Sequence, residues 1–158
     1  MTLAHTPLVL VALLTMMSAV WADDHDDPVT LLIPQSTWTN QLGSVMTITA
    51  VNTHTGEIAG SYRSGSGTSG DQYPLVGWFN SLPQESGKDH VQVVSFTVRW
   101  GTIGSVTTWN GSLRDVNGTG VPTLTCQWIL VRPNTDFPWE HMLCGQDTFI
   151  PVQSETPR

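Results

Sequence analysis

Two hydroxyls and a tryptophan share one face of a strand-like stretch at residues 105–109. Ser105, Thr107 and Trp109 are two residues apart, and side chains in a β-strand alternate between faces. A buried hydroxyl without a partner costs on the order of 1–3 kcal/mol, so a core built for stability alone would place Val or Ile there. If this face is internal, it indicates contact with a polar ligand atom or with ordered water.

An acidic residue stands inside the last strand-like run. Asp147 lies within residues 144–149, although Asp is disfavoured in strand interiors. A carboxylate that points inward needs hydrogen-bond donors around it. The position is explained either by a surface Asp or by a polar internal site.

Polar residues also stand at the ends of two earlier runs. Asn40 and Ser44 flank a glycine turn just after Trp38, where ordinary turn chemistry explains them as well as ligand binding does. Tyr62 ends the third run with Ser64 on the same face. The tryptophans that follow residue 22 are each explained either as core or as the wall of a ligand site; they are Trp38, Trp78, Trp100, Trp109, Trp128 and Trp139.

The elements that position these residues are short alternating runs rich in Val, Ile, Thr and aromatics. We predict eight strands, at residues 36–40, 45–52, 57–63, 73–79, 91–100, 105–114, 123–132 and 141–151. Short consecutive links favour antiparallel pairing, and eight such strands can close into an all-β up-and-down barrel. The Ser/Gly-rich segment 64–71 is explained equally by a solvated linker and by a lid over the barrel mouth.

Residues 1–22 carry no Asp, Glu, Lys or Arg, and their apolar stretch is too short to span a bilayer comfortably. We predict a secretory signal peptide removed after Ala22, with a retained anchor as the alternative. An acidic, flexible lead-in at 23–35, the barrel at 36–151 and a tail at 152–158 complete the chain. The net charge of −7 disfavours nucleic acid and anionic membranes as partners.

Asn110 and Asn117 each begin an N-glycosylation sequon, which agrees with secretion. The two cysteines differ in parity: Cys126 should face inward with Trp128, whereas Cys144 should face outward, so we expect no simple bridge between them. We find no metal, cofactor or catalytic constellation, and we expect the protein not to be an enzyme.

Six stretches of the chain, taken together, resemble the avidin/streptavidin family over residues 36–151. The resemblance is carried, in order, by WTNQLGSVMTI (38–48), GSYRS (60–64), SFTVRW (95–100), SVTTWNG (105–111), TLTCQWIL (123–130) and Trp139 followed by GQDTF (145–149). It implies the eight-stranded barrel that streptavidin exemplifies. It also implies biotin as the ligand.

The resemblance assigns a role to each polar position. Asn40, Ser44 and Tyr62 match the three donors to the ureido oxygen of biotin, while Ser64 and Asp147 match the acceptors of its N–H groups. The remaining roles are the sulfur contact (Thr107), the valerate carboxylate contact (Ser105), the aromatic box (Trp100, Trp109 and Trp128), an apolar contact (Leu130) and the lid (Ser66, Gly67 and Thr68). Trp139 matches the residue that enters a neighbouring subunit's site.

The resemblance further implies a secreted homo-oligomer that sequesters biotin, with a tetramer expected and a dimer left open. Cys144 matches an interface position, which leads to the hypothesis of an intersubunit disulfide. Gly101, Thr102 and Ile103 depart from the avidin pattern, so the carboxylate end should be looser. Trp78 has no role in that pattern and is interpreted as core or interface packing. Two alternatives are an avidin-like interaction module with weak or no biotin binding and a carrier for an apolar ligand; the polar set argues against both.

Overall fold

The structure is a computed structural model that describes residues 32–67, 70–83, 85–115 and 121–152. Several sequence predictions lie outside this part of the chain. They are the signal peptide at 1–22, the lead-in up to residue 31, the lid residue Thr68, the sequon at Asn117 and the tail beyond residue 152.

Eight strands follow one another along the chain. They are β1 (Ser36–Asn40), β2 (Val45–Val51), β3 (Glu57–Arg63), β4 (Tyr73–Asn80), β5 (Gln92–Arg99), β6 (Val106–Asp115), β7 (Pro122–Val131) and β8 (Met142–Pro151). Each predicted strand is present, with ends shifted by about one residue. Two 3₁₀ turns, Gly101–Ile103 and Pro138–Glu140, were not predicted.

The strands form a closed antiparallel barrel in sequence order. Each strand pairs with the next, and β1 closes the barrel against β8 through Trp38↔Pro151, Thr39↔Ile150 and Asn40↔Phe149. The predicted up-and-down barrel is therefore the observed fold. The links between consecutive strands are four to eleven residues long. This order is natural because antiparallel neighbours need no crossover.

Strict alternation of side chains separates the barrel interior from its outer surface. In β5, Val94, Phe96 and Val98 are buried, whereas Val93 and Arg99 on the other face are exposed. A half-buried strand needs this period of two. The same alternation places Thr107 of β6 and Asp147 of β8 inside the barrel.

Trp78 is the sequence expectation that the structure corrects in part. Core packing and interface packing were both open for it, but its side chain is 56% exposed on the outer face of β4. Its parity matches exposed Val76, whereas Leu75 and Phe79 on the other parity are buried. Core packing is therefore excluded.

Among the described residues, no helix has the length and apolar character needed to cross a membrane.

Candidate functional site

At the turn between β1 and β2, the side-chain amide of Asn40 has a hydrogen-bonded oxygen and a nitrogen without a partner among the described residues. Gly43 adopts a positive φ of 76° in this turn, which glycine tolerates best. The Asn40 Oδ1 atom accepts hydrogen bonds from the backbone N–H groups of Leu42 (3.1 Å) and Ser44 (2.8 Å). Its Nδ2 atom is buried and has no partner within the described part of the chain. Because a buried donor without a partner costs free energy, this amide is set to donate to a ligand.

Ser44 and Tyr62 continue this donor group. Both are buried, and their hydroxyls share a hydrogen bond. The Ser44 Oγ atom also accepts from the backbone N–H of Gly65 at 3.1 Å. Burial raises the pKa of Tyr62 well above its ordinary value of 10.0, and the bond to Ser44 offsets only part of that rise. The phenol is therefore a protonated, fixed donor at neutral pH.

Asp147 lies beside this donor group as a buried acceptor. Its Oδ2 atom accepts from Trp109 Nε1 at 2.9 Å, and its Oδ1 atom accepts from Gln41 Nε2 at 3.1 Å. A carboxylate offers about four lone-pair positions. Its position is thus fixed from two sides while acceptor capacity remains for the N–H of a ligand.

Ser64 follows β3 and is half-buried. Its hydroxyl donates to the Ser66 carbonyl oxygen at 2.6 Å and accepts from the Ser66 backbone N–H at 3.2 Å. Because its proton is already directed at Ser66, a hydroxyl lone pair is what it can still offer. That makes Ser64 an acceptor, the role that the resemblance implies for it.

The walls of the site are aromatic. The Trp100 Nε1 atom donates to Thr107 Oγ1 at 2.7 Å, which leaves the Thr107 proton available for a weak acceptor such as a sulfur atom. The Trp109 ring stacks on Phe96 at 4.8 Å and lies 5.0 Å from Tyr62 between ring centroids. These rings keep one another in place without a ligand, so binding orders few side chains.

A second wall comes from β7. Trp128 and Leu130 are half-buried and pack against the core cluster. Trp128 pairs with Gly145 in the register of β7 and β8, and a Cβ atom at Gly145 would lie 2.4 Å from Trp128 Cζ2. The indole therefore occupies space that only a glycine leaves open.

The mouth of the barrel holds the remaining predicted residues. Ser105 is buried at this end, while Ser66 and Gly67, which are predicted to belong to a lid, are exposed. Trp139 is 73% exposed and stacks on Phe137 with ring centroids 4.8 Å apart. It is therefore not part of its own barrel's interior.

The cysteines have the predicted orientations. Cys126 is buried and Cys144 is exposed, and both are free thiols. Cys126 pairs in register with Asp147. Burial, and then the charge of Asp147, raise the pKa of Cys126 to about 12, so this thiol is protonated and unreactive at neutral pH.

Three residues of the site were missed from the sequence: Gln41, Tyr73 and Phe96. Gln41 holds Asp147 across the β1–β8 junction, Tyr73 packs edge-on against Trp100 at 5.1 Å, and Phe96 backs Trp109. Their parity and neighbours could have identified the two rings, because both face inward on strands beside a site tryptophan. Gln41 carries no such signal, since its role depends on barrel closure.

No cluster of three or more His, Cys, Asp or Glu side chains that could hold a metal ion occurs within residues 32–67, 70–83, 85–115 and 121–152. What the described side chains offer instead is a donor group of Asn40, Ser44 and Tyr62 beside acceptors on Ser64 and Asp147. This arrangement fits a flat ligand group with a carbonyl oxygen on one side and N–H groups on the other.

Comparison with known proteins identifies a matching family and solved structures of similar fold. The family model described as the avidin family matches residues 28–152. The crystal structure of a biotin complex of a shwanavidin variant is 28% identical, has a TM-score of 0.59, and covers 78% of this chain and 100% of its own. The crystal structure of core-bradavidin is 29% identical, has a TM-score of 0.60, and covers 74% of this chain and 98% of its own.

Proposed function

The chain belongs to the avidin family, and from this premise we propose that it binds biotin with high affinity and sequesters it as a secreted, non-enzymatic homo-oligomer. The similar shwanavidin variant was crystallised with biotin, which supports the choice of ligand. Secretion rests on the apolar segment at residues 1–22 and on the two sequons.

The observation that carries the proposal is the unsatisfied amide of Asn40. Its Nδ2 atom is buried without a partner in the described structure, next to the paired hydroxyls of Ser44 and Tyr62. The ureido oxygen of biotin is an acceptor for the free Asn40 amide and for the hydroxyl proton that the Ser44–Tyr62 bond leaves unused. It takes the third donor when biotin replaces the bond between the two hydroxyls. The ureido N–H groups would then meet the acceptors at Ser64 and Asp147, and such bonds strengthen one another in a site without water.

The oligomer is supported by Trp139. A tryptophan that is 73% exposed beside the mouth of a barrel is unusual for an isolated domain. Entry of this ring into a neighbouring copy's site would cover it and would complete that site. A tetramer remains the expected assembly and a dimer the alternative.

A second function is favoured by a different observation. The outer face of the barrel carries exposed Val76, Trp78 and Ile129, which suits an avidin-like interaction module with weak or no biotin binding. Under that function the buried polar set would have no ligand, at a cost in stability for each unpaired group.

Calorimetric titration with biotin separates the two functions. We expect about one biotin per chain for the wild-type protein. Asp147→Asn should weaken binding by about 10- to 150-fold, the equivalent of about 1.5–3 kcal/mol for hydrogen bonds to a charged group. Ser61→Ala, an outward change on β3, is the matched control and should bind like wild type.

The absence of heat together with an unchanged melting temperature in excess biotin would refute the biotin proposal. The interaction module would then become the leading function. Equal affinities for wild type and Asp147→Asn would leave biotin binding in place but would refute the ureido geometry.

A further inference from the structure

The exposed apolar residues of the barrel surface are concentrated on one side. Every exposed large hydrophobic on a described strand belongs to β4–β8, and β1–β3 contribute none. Examples are Val76 and Trp78 on β4, Val93 on β5, Ile129 on β7 and Met142 on β8, each between 44% and 64% exposed. We call the outward side of β4–β8 the outer apolar face.

This face is also almost uncharged. Among its outward-facing described residues the charged ones are Arg99 and Arg114, which lie toward opposite ends of β5 and β6, and Arg114 pairs with Asp89. The positions between them are Ser, Thr, Asn, Gln or apolar. A protein of net charge −7 thus has a broad surface that two copies can bring together without like-charge repulsion.

The dimensions of the face suit a second copy. Five strands about 4.8 Å apart span roughly 20 Å, and nine residues along β6 span roughly 27 Å. The resulting flat projection is on the order of 500 Å². This is below the about 800 Å² per partner of a standard interface, and the side chains that stand out from the face add accessible area to it. An extended peptide or a small ligand would cover only a fraction of it.

Asn110 lies at the centre of this face. It is exposed, it is on the middle strand β6, and it is the middle outward residue of that strand. Its cross-strand neighbours are Ser95 on β5 and Gln127 on β7. The hydroxyl of Ser112, which completes the sequon, lies on the same side two residues further along.

We propose that N-glycosylation of Asn110 and packing of a second copy on the outer apolar face are mutually exclusive, so that the sequon decides whether a chain assembles. The proposal rests on the proposed self-association of the barrel. A glycan is bulky and hydrated, whereas the centre of an interface is close-packed and largely free of water. A glycan at the rim could be accommodated, but one at the centre holds the two faces apart.

The test is to secrete the full chain from a glycosylating eukaryotic host, separate the assembly states by size-exclusion chromatography with light scattering, and map Asn110 in each fraction by mass spectrometry. A glycan on Asn110 in single chains, or an unmodified Asn110 in assembled chains, is the expected result. Glycosylated Asn110 within the assembled fraction, or an unmodified chain that stays single at micromolar concentration, would overturn the proposal.

Two pairs of variants identify the responsible site. Ser112→Ala removes the sequon and keeps Asn110, so all chains should assemble, whereas Thr119→Ala removes the other sequon and should leave the distribution unchanged. Asn110→Arg places a charge at the centre of the face and should give single chains without any glycan. Ser61→Arg, the matched change on the outer side of β3, should not, and assembly of Asn110→Arg would contradict the proposed surface.

Biotin titration of the separated fractions distinguishes this proposal from the proposed function. Single, glycosylated chains that still bind one biotin each would support exclusion by the glycan while leaving the ligand assignment intact. Assembled chains that bind no biotin would refute the ligand assignment and leave the assembly proposal standing.

Discussion

At the scale of single residues, the Asn40 side chain divides two tasks between its two ends. Its oxygen holds the β1–β2 turn through Leu42 and Ser44, and its nitrogen is left buried and unpaired in the described structure. The turn therefore fixes the amide orientation before any ligand arrives. Preorganisation of this kind lowers the entropy that binding must overcome.

Asn40→Asp separates the two tasks. The carboxylate keeps an oxygen for the turn but replaces the donor with an acceptor that faces the ureido oxygen. We expect biotin affinity to fall at least tenfold while the melting temperature of the ligand-free protein changes little, as measured by calorimetry and thermal denaturation. A large loss of stability without a loss of affinity would contradict this assignment.

Tyr62 makes the stability of the protein pH-dependent at the alkaline end. Burial raises the pKa of Tyr62 in the folded state above 10.0, its value in the unfolded chain. The contribution of the protonated phenol to the free energy of unfolding is therefore fully present below pH 10 and is lost as the pH rises above it. The expected slope approaches one proton, about 1.4 kcal/mol per pH unit. Chemical denaturation at pH 8, 10 and 11 should show a smaller decline in the free energy of unfolding for Tyr62→Phe than for wild type. Equal declines in the two proteins would refute the role of Tyr62 in this pH dependence.

The sequence singled out the polar residues that the structure buries inside the barrel, but not the residues that hold them in place. Asn40, Ser44, Tyr62 and Asp147 form a recognisable set because their order and spacing are specific. Gln41 could not be predicted, since a glutamine in a turn has no particular partner until β1 and β8 meet.

At the scale of elements, close strand-to-strand contacts shape the pocket walls. The indole of Trp128 lies over Gly145 of the neighbouring strand. A side chain at this position would need to push the indole into the pocket or away from it. The wall therefore depends on the absence of a Cβ atom on β8.

Gly145→Ala tests this dependence. The added methyl group would come within 2.4 Å of the Trp128 ring, so we expect a lower melting temperature and weaker biotin binding together. Gln146→Ala, the next residue on the same strand but outward-facing, should leave both unchanged. An unaltered affinity in Gly145→Ala would mean that Trp128 is not a wall of the site.

Strand positions followed from the sequence because period-two alternation is a local signal. The 3₁₀ turns Gly101–Ile103 and Pro138–Glu140 did not, since three-residue turns leave no periodicity. Parity alone also identifies Trp78 as outward, because Leu75 and Phe79 occupy the inward positions around it.

At the scale of the whole molecule, ligand binding should be visible as thermal stabilisation of a single closed barrel. Biotin at about 1,000 times its dissociation constant would add about 4.1 kcal/mol, which corresponds to a rise in melting temperature of roughly 10–20 °C for a domain of this size. Differential scanning calorimetry measures it, with Asp147→Asn as the control that should rise less. A rise of similar size in both proteins would indicate binding outside the polar site.

The barrel itself could be predicted because eight strands with short links leave few other topologies. The outer apolar face could not be predicted, since exposure becomes known only when the strands are in register. Outward apolar residues on β7 and β8 are indistinguishable in sequence from those of a sheet packed on both sides.

The barrel is joined at β1 and β8 by only three residue pairs, fewer than at any other strand junction. Asn40 stands on one side of this seam and Asp147 on the other, with Gln41 bridging them. A ligand bound by both Asn40 and Asp147 links the two sides of this junction. Dissociation of the ligand and separation of β1 from β8 are therefore coupled. Slower hydrogen exchange at the amides of β1 in the presence of biotin would show that bound biotin keeps β1 paired with β8.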